Sequence, residues 1–299
     1  MNSYEDRAAT ADRARRFEGQ VALITGAATG IGLATARQLA VEGAAVAIVD
    51  FNSAALGPAE KSLREVSDRV LAIHADIGTA AAVDGVVNQV TDGLGSVDIL
   101  VNNAAISITK MYVDHTEEDF DRQLQVNLMA PHRFTTRLLP SMMERRHGAI
   151  VNVASVAGLY YTYPHVGYAA SKAGLIAFTR DVAFESARFG VRVNCIAPGL
   201  IAVEKTRKAL KFDSMDEGTA FRPMGWGRPE DVASVACFLA SEEARFVIGA
   251  TIPVSGGTTL MVSMTANEAG AVVDEAVASA RPGATLGSRS LPGHDQRAR

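Results

Sequence analysis

Short apolar runs alternate with longer stretches of helical periodicity along most of the chain. The short runs are rich in Val, Ile and Leu, and continuous runs of this length are typical of strands buried on both faces. They cover residues 21–25, 45–49, 70–74, 99–102, 149–153, 191–196 and 252–254. Apolar residues recur at helical spacing in residues 33–42, 80–93, 120–143 and 168–189. Strands that alternate with helices predict an α/β fold, a doubly wound parallel sheet of about seven strands with helices on both faces.

The pattern contains no internal repeat and no Pro/Gly/Ser-rich linker, so we predict one domain over residues 17–260. Residues 1–16 carry mixed charges without an apolar core and are expected to form an N-terminal arm rather than a signal peptide. Residues 261–299 are expected to be a C-terminal extension. Its last part, rich in Pro, Gly and charge, predicts a partly flexible segment.

A glycine-rich turn joins the first strand to the first helix. Gly26 would permit the tight turn, Gly30 the close approach of a pyrophosphate, and Gly32 close packing of the helix. The helix N-terminus offers free N–H groups and a positive dipole to phosphates. No Gly-Lys-Ser/Thr sequence is present, which disfavours a nucleoside triphosphate. A turn that binds no ligand is the alternative reading.

An acidic residue ends the second strand. Asp50 lies 20 residues after Gly30, where a carboxylate hydrogen-bonds the adenosine ribose and repels a 2′-phosphate. The glycine turn and residues 51–53 contain no Arg or Lys that could bind such a phosphate. The sequence therefore predicts NAD rather than NADP. A turn or helix-capping role for Asp50 stays open.

Tyr168 and Lys172 are four residues apart and would share one face of a helix, and Ser155 precedes Tyr168 by 13 residues. A phenol with a pKa of about 10 is a poor base at neutral pH. Lys172, together with a positive nicotinamide, would lower the pKa of Tyr168 toward neutrality. Ser155 would stabilise the developing charge on a substrate oxygen. Behind a dinucleotide-binding turn, such a set is compatible with hydride transfer from a carbinol carbon with Tyr168 as the general base. Taken alone, a Tyr and a Lys at this spacing could simply lie on a helix surface, and a Ser after a strand could be a turn or cap residue.

Taken together, the motifs resemble the short-chain dehydrogenase/reductase family, in its single-domain branch. The resemblance covers residues 19–257, and the motifs occur in the family's order. Residues 25–32 have the form T-G-x-x-x-G-I-G, residues 102–105 follow the fourth strand where the family usually has Asn-Asn-Ala-Gly, and residues 168–172 have the form Y-x-x-x-K. The resemblance implies a Rossmann-like fold and a nicotinamide-dependent oxidoreductase.

The resemblance also implies roles for further residues. It makes Asn127, Ser155, Tyr168 and Lys172 a catalytic tetrad, in which Asn127 positions a proton-relaying water and Lys172 also holds the nicotinamide ribose. With the glycine turn and Asp50, it implies the following cofactor-binding residues: Gly26, Thr29, Gly30, Ile31, Gly32, Asp50, Phe51, Asp76, Ile77, Asn103, Ala104, Ala105, Tyr168, Lys172, Pro198, Gly199, Ile201 and Val203. Val203 stands where many relatives have a Thr that bonds the carboxamide, so the backbone of Ile201 is expected to hold more of that group.

The substrate is expected at the carboxyl ends of the strands. The residues predicted to contact it are Ser107, Ser155, Ala157, Tyr161 and Leu200. Aromatic and aliphatic walls favour a largely apolar alcohol or ketone, although the Tyr residues at 160, 161 and 163 could instead pack or contact a subunit. Residues 203–225 resemble the family's mobile lid. The resemblance further implies a homotetramer or dimer, built through the helices at 120–143 and 168–189.

Composition narrows the class of function. The chain has 29 Lys and Arg against 33 Asp and Glu, a formal charge of −4, which argues against nucleic acid as a partner. Its apolar stretches are shorter than the ~20 residues of a membrane span. Two Cys residues outside any Cys-x-x-Cys pair predict a reduced, cytoplasmic setting. The His residues show no metal-binding spacing, so no metal is predicted and His165 is interpreted as structural or exposed.

Three functions are compatible with these residues. The leading hypothesis is an NAD-dependent dehydrogenase that interconverts a secondary alcohol and a ketone. The second is an NADPH-dependent ketoreductase of the 3-oxoacyl type. The third is a nucleotide-sensing protein with the same fold and no turnover. A complete set of Asn127, Ser155, Tyr168 and Lys172 argues against the third.

Overall fold

The computed structural model describes residues 15–162, 164–203 and 224–260. Seven strands form one sheet in the order β3-β2-β1-β4-β5-β6-β7, and every neighbouring pair is parallel. The strands are β1 (Val21–Thr25), β2 (Ala45–Asp50), β3 (Val70–His74), β4 (Ile99–Asn102), β5 (Gly148–Val153), β6 (Val191–Pro198) and β7 (Thr251–Val254). The helices are α1 (Gly30–Val41), α2 (Ser53–Arg64), α3 (Ala80–Leu94), α4 (Glu117–Leu124), α5 (Ala130–Arg145), α6 (Val166–Ala187) and α7 (Pro229–Ala240). The predicted Rossmann-like sheet is confirmed.

Alternate residues of each central strand pack on opposite faces of the sheet. In β1, Ala22 and Ile24 belong to a core that includes buried residues of α1, α2 and α7. Val21 and Leu23 belong to the second core, formed with α3, α5 and α6. Each fully buried large apolar side chain contributes about 1.5–3 kcal/mol, so burial on both faces explains why these strands are continuous apolar runs.

The chain adds strands outward from β1 to β3 on one side of the sheet and from β4 to β7 on the other, so the strand order reverses between the parallel neighbours β1 and β4. Crevices at the carboxyl ends of strands at such a point are where open α/β sheets bind ligands. The turn after β1, the end of β2 and the segment after β4 therefore meet at one site.

The predicted helix at 120–143 is wrong in one respect. A π-helical turn, Gln125–Met129, separates α4 from α5. Such single turns insert one residue into a helix and are often found at functional sites. Here the turn contains Asn127, which is fully buried.

Two helices were not predicted from the sequence. In α2, Pro58 lies inside the helix and follows Gly57, two residues that usually indicate a break. The helix nevertheless forms because Asn52 caps its first turn and Leu56, Ala59 and Leu63 are buried. The other, α7, begins with Pro229 at a first-turn position.

The described residues include only part of the predicted arm, domain and extension. Residues 1–14 of the predicted arm, the whole predicted extension after residue 260 and residues 204–223 of the predicted lid lie outside the described residues, as does Tyr163. Across residues 15–162, 164–203 and 224–260, every helix is too short or too polar to traverse a lipid bilayer.

Candidate active site

The turn after β1 requires glycine for steric reasons. Gly26 and Gly30 have φ angles of 64° and 58°, a region that other residues rarely adopt. A Cβ on Gly26 would lie 2.7 Å from the Cα of Ala104. A Cβ on Gly32 would overlap the carbonyl oxygen of Gly26, so Gly32 serves the close packing of α1 against the turn.

The segment after β4 is hydrogen-bonded to this turn. The side-chain amide of Asn103 donates to the carbonyl of Thr25 at 2.9 Å and to that of Gly26 at 2.8 Å. In return, the Thr25 hydroxyl accepts the backbone N–H groups of Asn103 and Ala104, each at 3.1 Å. Asn103 therefore fixes the shape of the glycine turn through its side chain.

A cavity of about 910 Å³ opens at this reversal point of the sheet. That volume is at the upper end for small-molecule and cofactor sites. Most residues predicted to bind the cofactor line it, namely Gly26, Thr29, Gly30, Ile31, Asp50, Phe51, Asp76, Ile77, Asn103, Ala104, Ala105 and Val203. The hydroxyl of Thr29 makes no capping hydrogen bond to α1. The glycine cradle and the helix N-terminus thus fit the pyrophosphate of a dinucleotide.

Other predicted cofactor residues are not in the wall of this cavity, namely Gly32, Tyr168, Lys172, Pro198, Gly199 and Ile201. Pro198 is the last residue of β6, two residues beyond the predicted end of that strand at residue 196. Gly199 packs closely on Ser255, and Ile201 is buried and pairs with Gly227. Cofactor contact by these residues stays a prediction.

Asp50 braces the glycine turn and also faces the cavity. Its carboxylate accepts the backbone N–H of Ala28 at 3.0 Å and that of Asn52 at 2.9 Å. Each carboxylate oxygen has a second lone pair. The turn-bracing role and the predicted ribose-binding role are therefore compatible in one residue.

Asp76 is paired with Arg122, a residue that sequence reasoning did not single out. The guanidinium of Arg122 donates to the Asp76 carboxylate at 2.6 Å, and the backbone N–H of Gly78 donates at 3.0 Å. Burial opposes ionisation, but these two hydrogen bonds hold the pKa of Asp76 below its ordinary value. Arg122 and Asp76 both line the cavity.

The Tyr168 phenol lies near the Ser155 hydroxyl, next to the end of β5. Ser155 caps the short 3-10 turn that follows β5, and its hydroxyl accepts the backbone N–H of Ala157 at 3.1 Å. Burial raises the pKa of the Tyr168 phenol, and the hydrogen bond with Ser155 lowers it by a smaller amount. In the chain by itself, this direction is opposite to the lowering expected from Lys172.

Lys172 lies under Tyr168, one helical turn further along α6. Its side chain is buried, and its amino group donates a 2.7 Å hydrogen bond to the carbonyl of Val153. Its nitrogen is 5.6 Å from the centre of the Tyr168 ring. Burial lowers the pKa of Lys172 to about 8, and the nearby Cys195 opposes this effect. The site therefore contains an amine that exchanges its proton close to physiological pH.

Asn127 connects the segment after β4 to α6. Its side chain accepts the N–H of Ile106 and donates to the carbonyl of the same residue, both at 2.8 Å. It also donates to the Ser171 hydroxyl at 3.0 Å, and that hydroxyl donates to the carbonyl of Tyr168 at 2.7 Å. The predicted water-positioning role of Asn127 stays a prediction. Ser171, which the sequence motif contains, had not been assigned a role.

Gln123 is a second residue that sequence reasoning missed. It is fully buried, and its side chain accepts the N–H of Ile108 at 3.0 Å and donates to the carbonyl of Asp119 at 3.1 Å. A Cβ on Gly167 would overlap its amide nitrogen. The available signal was its position four residues before Asn127, on the same face of a predicted helix.

The predicted substrate-binding residues differ in their surroundings. Ala157 is buried, Leu200 is partly exposed, and Tyr161 is 88% exposed. Ser107 has a buried hydroxyl oxygen without a hydrogen-bond partner in the described part of the chain. Among residues 15–162, 164–203 and 224–260, no three His, Cys, Asp or Glu side chains are grouped so that they could hold a metal ion.

Comparisons with known proteins agree with this geometry. Residues 26–259 match the family described as enoyl-(acyl carrier protein) reductase. A 3-oxoacyl-[acyl-carrier-protein] reductase of Thermotoga maritima is 39% identical over 246 residues, which cover 82% of this chain and 100% of that protein. A meso-2,3-butanediol dehydrogenase of Serratia marcescens is 34% identical over 247 residues, covering 82% and 96%. The crystal structure of a Burkholderia xenovorans protein described as a short-chain dehydrogenase/reductase superposes with a TM-score of 0.78 at 36% identity, covering 83% and 99%.

A sheet with this order, a glycine turn at its reversal point and a Tyr-Lys pair beside it define a nicotinamide-dependent oxidoreductase. The chain belongs to the short-chain dehydrogenase/reductase family, and the resemblance in its motifs is confirmed. It is an oxidoreductase that acts on CH–OH groups and interconverts alcohols and ketones.

Proposed function

We propose that the protein is an NAD(H)-dependent oxidoreductase that interconverts a secondary alcohol and a ketone, with Tyr168 as the general acid and base. One observation carries this proposal. The phenol of Tyr168 lies near enough to Ser155 for that hydroxyl to lower its pKa, and the buried amino group of Lys172 lies 5.6 Å from the centre of its ring, beside a glycine-lined cavity. In alcohol oxidation, bound NAD⁺ accepts a hydride from the carbinol carbon.

The protein side chains supply the remaining chemistry. Ser155 and Tyr168 are close enough to hydrogen-bond a single substrate oxygen, and Tyr168 removes its proton during oxidation. Lys172 stabilises the resulting phenolate through its positive charge. Asn127 holds the segment after β4 against α6 and so keeps the substrate side of Tyr168 in place.

Asp50 supports NAD over NADP. Its carboxylate is fixed at the cavity wall by two backbone N–H groups, where it repels a 2′-phosphate. Of the described residues that line the cavity, Arg122 is the one cation, and its guanidinium is already paired with Asp76. Arg122 therefore offers no unpaired positive charge to a 2′-phosphate.

A second candidate is an NADPH-dependent reductase of the 3-oxoacyl type. The observation that favours it is the 39% identity to the Thermotoga maritima 3-oxoacyl-[acyl-carrier-protein] reductase, over that protein's full length. Both candidates use the same Ser155, Tyr168 and Lys172 chemistry. They differ in the dinucleotide and in the substrate.

For the substrate, the location in the cell and the oligomeric state, the proposal is the one expected from the sequence. The substrate is a small, largely apolar alcohol or ketone, contacted by Ser155, Ser107, Ala157, Tyr161 and Leu200. The protein acts in the cytoplasm as a homotetramer or dimer of a single domain, residues 17–260, with an arm before it and an extension after it. No nucleic acid, membrane or metal takes part.

Fluorescence titration with NADH and with NADPH tests the cofactor. We expect NADH to bind at least tenfold more tightly, and tighter binding of NADPH would reverse the assignment. Absorbance at 340 nm, with a panel of aliphatic, cyclic and steroid alcohols and the corresponding ketones, then tests turnover. Absence of turnover with either dinucleotide would favour a nucleotide-sensing protein.

A further inference from the structure

Two residues in or next to the contact between the segment after β4 and the start of α6 have buried polar atoms with no hydrogen-bond partner in the described part of the chain. These atoms are the hydroxyl oxygen of Ser107 and Nδ1 of His165. Buried polar groups in native structures are nearly always paired, since leaving one unpaired costs free energy. His165 packs against Tyr168, and Ser107 lies two residues before Thr109, which meets His165. Their unpaired atoms indicate that a ligand completes these hydrogen bonds.

His165 is placed by α6 itself. It is the N-cap residue of that helix, but its side chain makes no capping hydrogen bond. Instead the imidazole packs edge-on against the Tyr168 ring, with the ring centres 6.2 Å apart and the planes at 64°. Its Nε2 lies 3.4 Å from the hydroxyl of Thr109. The interpretation of His165 as a structural or exposed residue therefore overlooked its contact with the reactive phenol.

Ser107 lies in the segment after β4, between two residues that are hydrogen-bonded to side chains of the following helical region. Its neighbour Ile106 is bonded to Asn127, and its other neighbour Ile108 is bonded to the buried Gln123. Gln123 in turn contacts Gly167, one residue before Tyr168. Because both flanking residues are fixed, the backbone of Ser107 is fixed as well, and it lies in the same segment as the Thr109 that meets His165.

We infer that Ser107 and His165 form a polar subsite that binds a second oxygen of the substrate, one or two carbons from the carbinol carbon. A hydroxyl and an imidazole can each donate or accept a hydrogen bond, so the substrate class is a vicinal diol, a hydroxyketone or a 3-hydroxyacyl compound. This inference rests on the proposed function, because it takes the Tyr168 hydroxyl as the point where the reacting oxygen binds.

The experiment compares pairs of compounds of matched chain length, in which one member carries oxygen beyond the carbinol group and the other does not. 2,3-Butanediol is matched with 3-methyl-2-butanol, and ethyl 3-hydroxybutanoate with 2-heptanol. His165→Phe keeps an aromatic ring and removes both nitrogens, and Ser107→Ala removes the hydroxyl. His132→Phe is the matched control, since His132 is exposed on α5 and contacts Phe178 instead.

We expect the wild-type kcat/KM to be at least tenfold higher for the oxygenated member of at least one pair. His165→Phe and Ser107→Ala should each lower kcat/KM for that compound at least fivefold and change it less than twofold for the matched alcohol. His132→Phe should change neither. Equal losses on both members, or no wild-type preference, would overturn the subsite.

Binding distinguishes a failed subsite from a failed function. The same compounds are titrated into the wild-type protein and the three variants, each saturated with NAD⁺, and followed by calorimetry. If no compound is turned over but the oxygenated one binds more weakly to His165→Phe and Ser107→Ala, the proposed function fails and the subsite stands. If binding does not distinguish the members of either pair, or if none of the compounds binds, the subsite is refuted.

Discussion

The amino nitrogen of Lys172 lies 5.6 Å from the centre of the Tyr168 ring, on a side chain that is 1% exposed. The phenol and the amine are thus close, and burial shifts the pKa of each toward its neutral form. A cation held out of water attracts a nearby anion more strongly than one in solvent, so Lys172 can stabilise a phenolate when Tyr168 gives up its proton. We therefore expect Lys172 to favour the deprotonated form of Tyr168 during the reaction, although burial raises the pKa of Tyr168 in the chain by itself.

Tyr168→Phe should lower kcat for alcohol oxidation by about 10²–10⁴-fold, because that is the range for loss of a general base. The Phe ring keeps the packing against His165 and Lys172, so the dissociation constant of NADH should change less than about threefold. Steady-state kinetics and fluorescence titration measure the two quantities. Retention of more than about a tenth of the wild-type rate would exclude Tyr168 as the base.

Ser155→Ala should move the pH dependence of alcohol oxidation to higher pH. Tyr168 acts as a base only when it is deprotonated, so kcat/KM rises with pH through the pKa of the phenol. Burial already raises that pKa, and the hydrogen bond from Ser155 lowers it. Without the Ser155 hydroxyl the rising limb should shift upward and the maximal rate should fall. If the rising limb of the pH–rate profile does not shift, the Ser155 hydroxyl has no effect on the pKa of Tyr168.

Lys172→Met should stabilise the fold at neutral pH while it abolishes activity. The pKa of Lys172 is lowered from 10.5 to about 8 in the folded chain, so burying its charge costs about 3 kcal/mol below pH 8. Loss of the hydrogen bond to Val153 offsets part of this, which leaves a gain in the free energy of unfolding of about 1–2 kcal/mol.

The pH dependence of stability gives a second check on Lys172. Between pH 8 and 10.5 the unfolded state binds the proton that the folded state has released, so this residue makes wild-type stability rise with pH across that window. The variant should lack this contribution. Urea unfolding at pH 7 and pH 9.5 measures it, with Lys61→Met, an exposed lysine of α2, as the control. A difference in unfolding free energy between wild type and variant that stays constant with pH would contradict the shifted pKa.

Asp50→Asn should reverse or erase the preference for NADH. Removal of the charge ends the repulsion of a 2′-phosphate and weakens the hydrogen bond to the ribose, so NADPH should bind about tenfold more tightly and NADH several-fold more weakly. Fluorescence titration with both dinucleotides gives the ratio. Asp68→Asn, which removes a charge from an exposed loop position, should leave the ratio unchanged. An equal effect of both substitutions would show that net charge, rather than Asp50, sets the preference.

The sequence predicted what depends on local pattern. Strands buried on both faces are continuous apolar runs, and the glycines at 26 and 30 have the positive φ angles that require them. The sheet and the position of the cavity could therefore be placed before any coordinates. The π-helical turn was not predicted, because the apolar residues at 120–143 were interpreted as one uninterrupted helical pattern.

The partners of the site residues were not predictable for another reason. Gln123 bonds to Ile108 and contacts Gly167, and His165 packs on Tyr168 and faces Thr109. These contacts join three separate elements, the segment after β4, α4 and α6. In the sequence, Gln123 looks like any polar residue of an amphipathic helix. Its burial and its hydrogen bonds can be seen only in the tertiary structure.

Gly167→Ala tests this junction directly. The new Cβ would overlap the side-chain amide of Gln123, so Gln123 must leave its place and release the N–H of Ile108. Overpacking and an unpaired buried N–H together predict a loss of about 2–4 kcal/mol in the free energy of unfolding. Gly85→Ala is the control, since a Cβ in the middle of α3 meets nothing within 4 Å and should stabilise by about 0.5–1 kcal/mol.

A double variant separates a collision with Gln123 from a general intolerance of Ala at position 167. Gln123→Ala alone also leaves Ile108 unpaired, so it should destabilise by about 1–3 kcal/mol. Because Ala at 123 leaves room for the new Cβ, the two substitutions together should cost less than the sum of their separate costs. KM for the alcohol should rise in all three variants, since Ile108 is adjacent to Ser107, while the dissociation constant of NADH stays within about twofold. Additive losses in urea unfolding would show that Gln123 does not link Gly167 to the segment after β4.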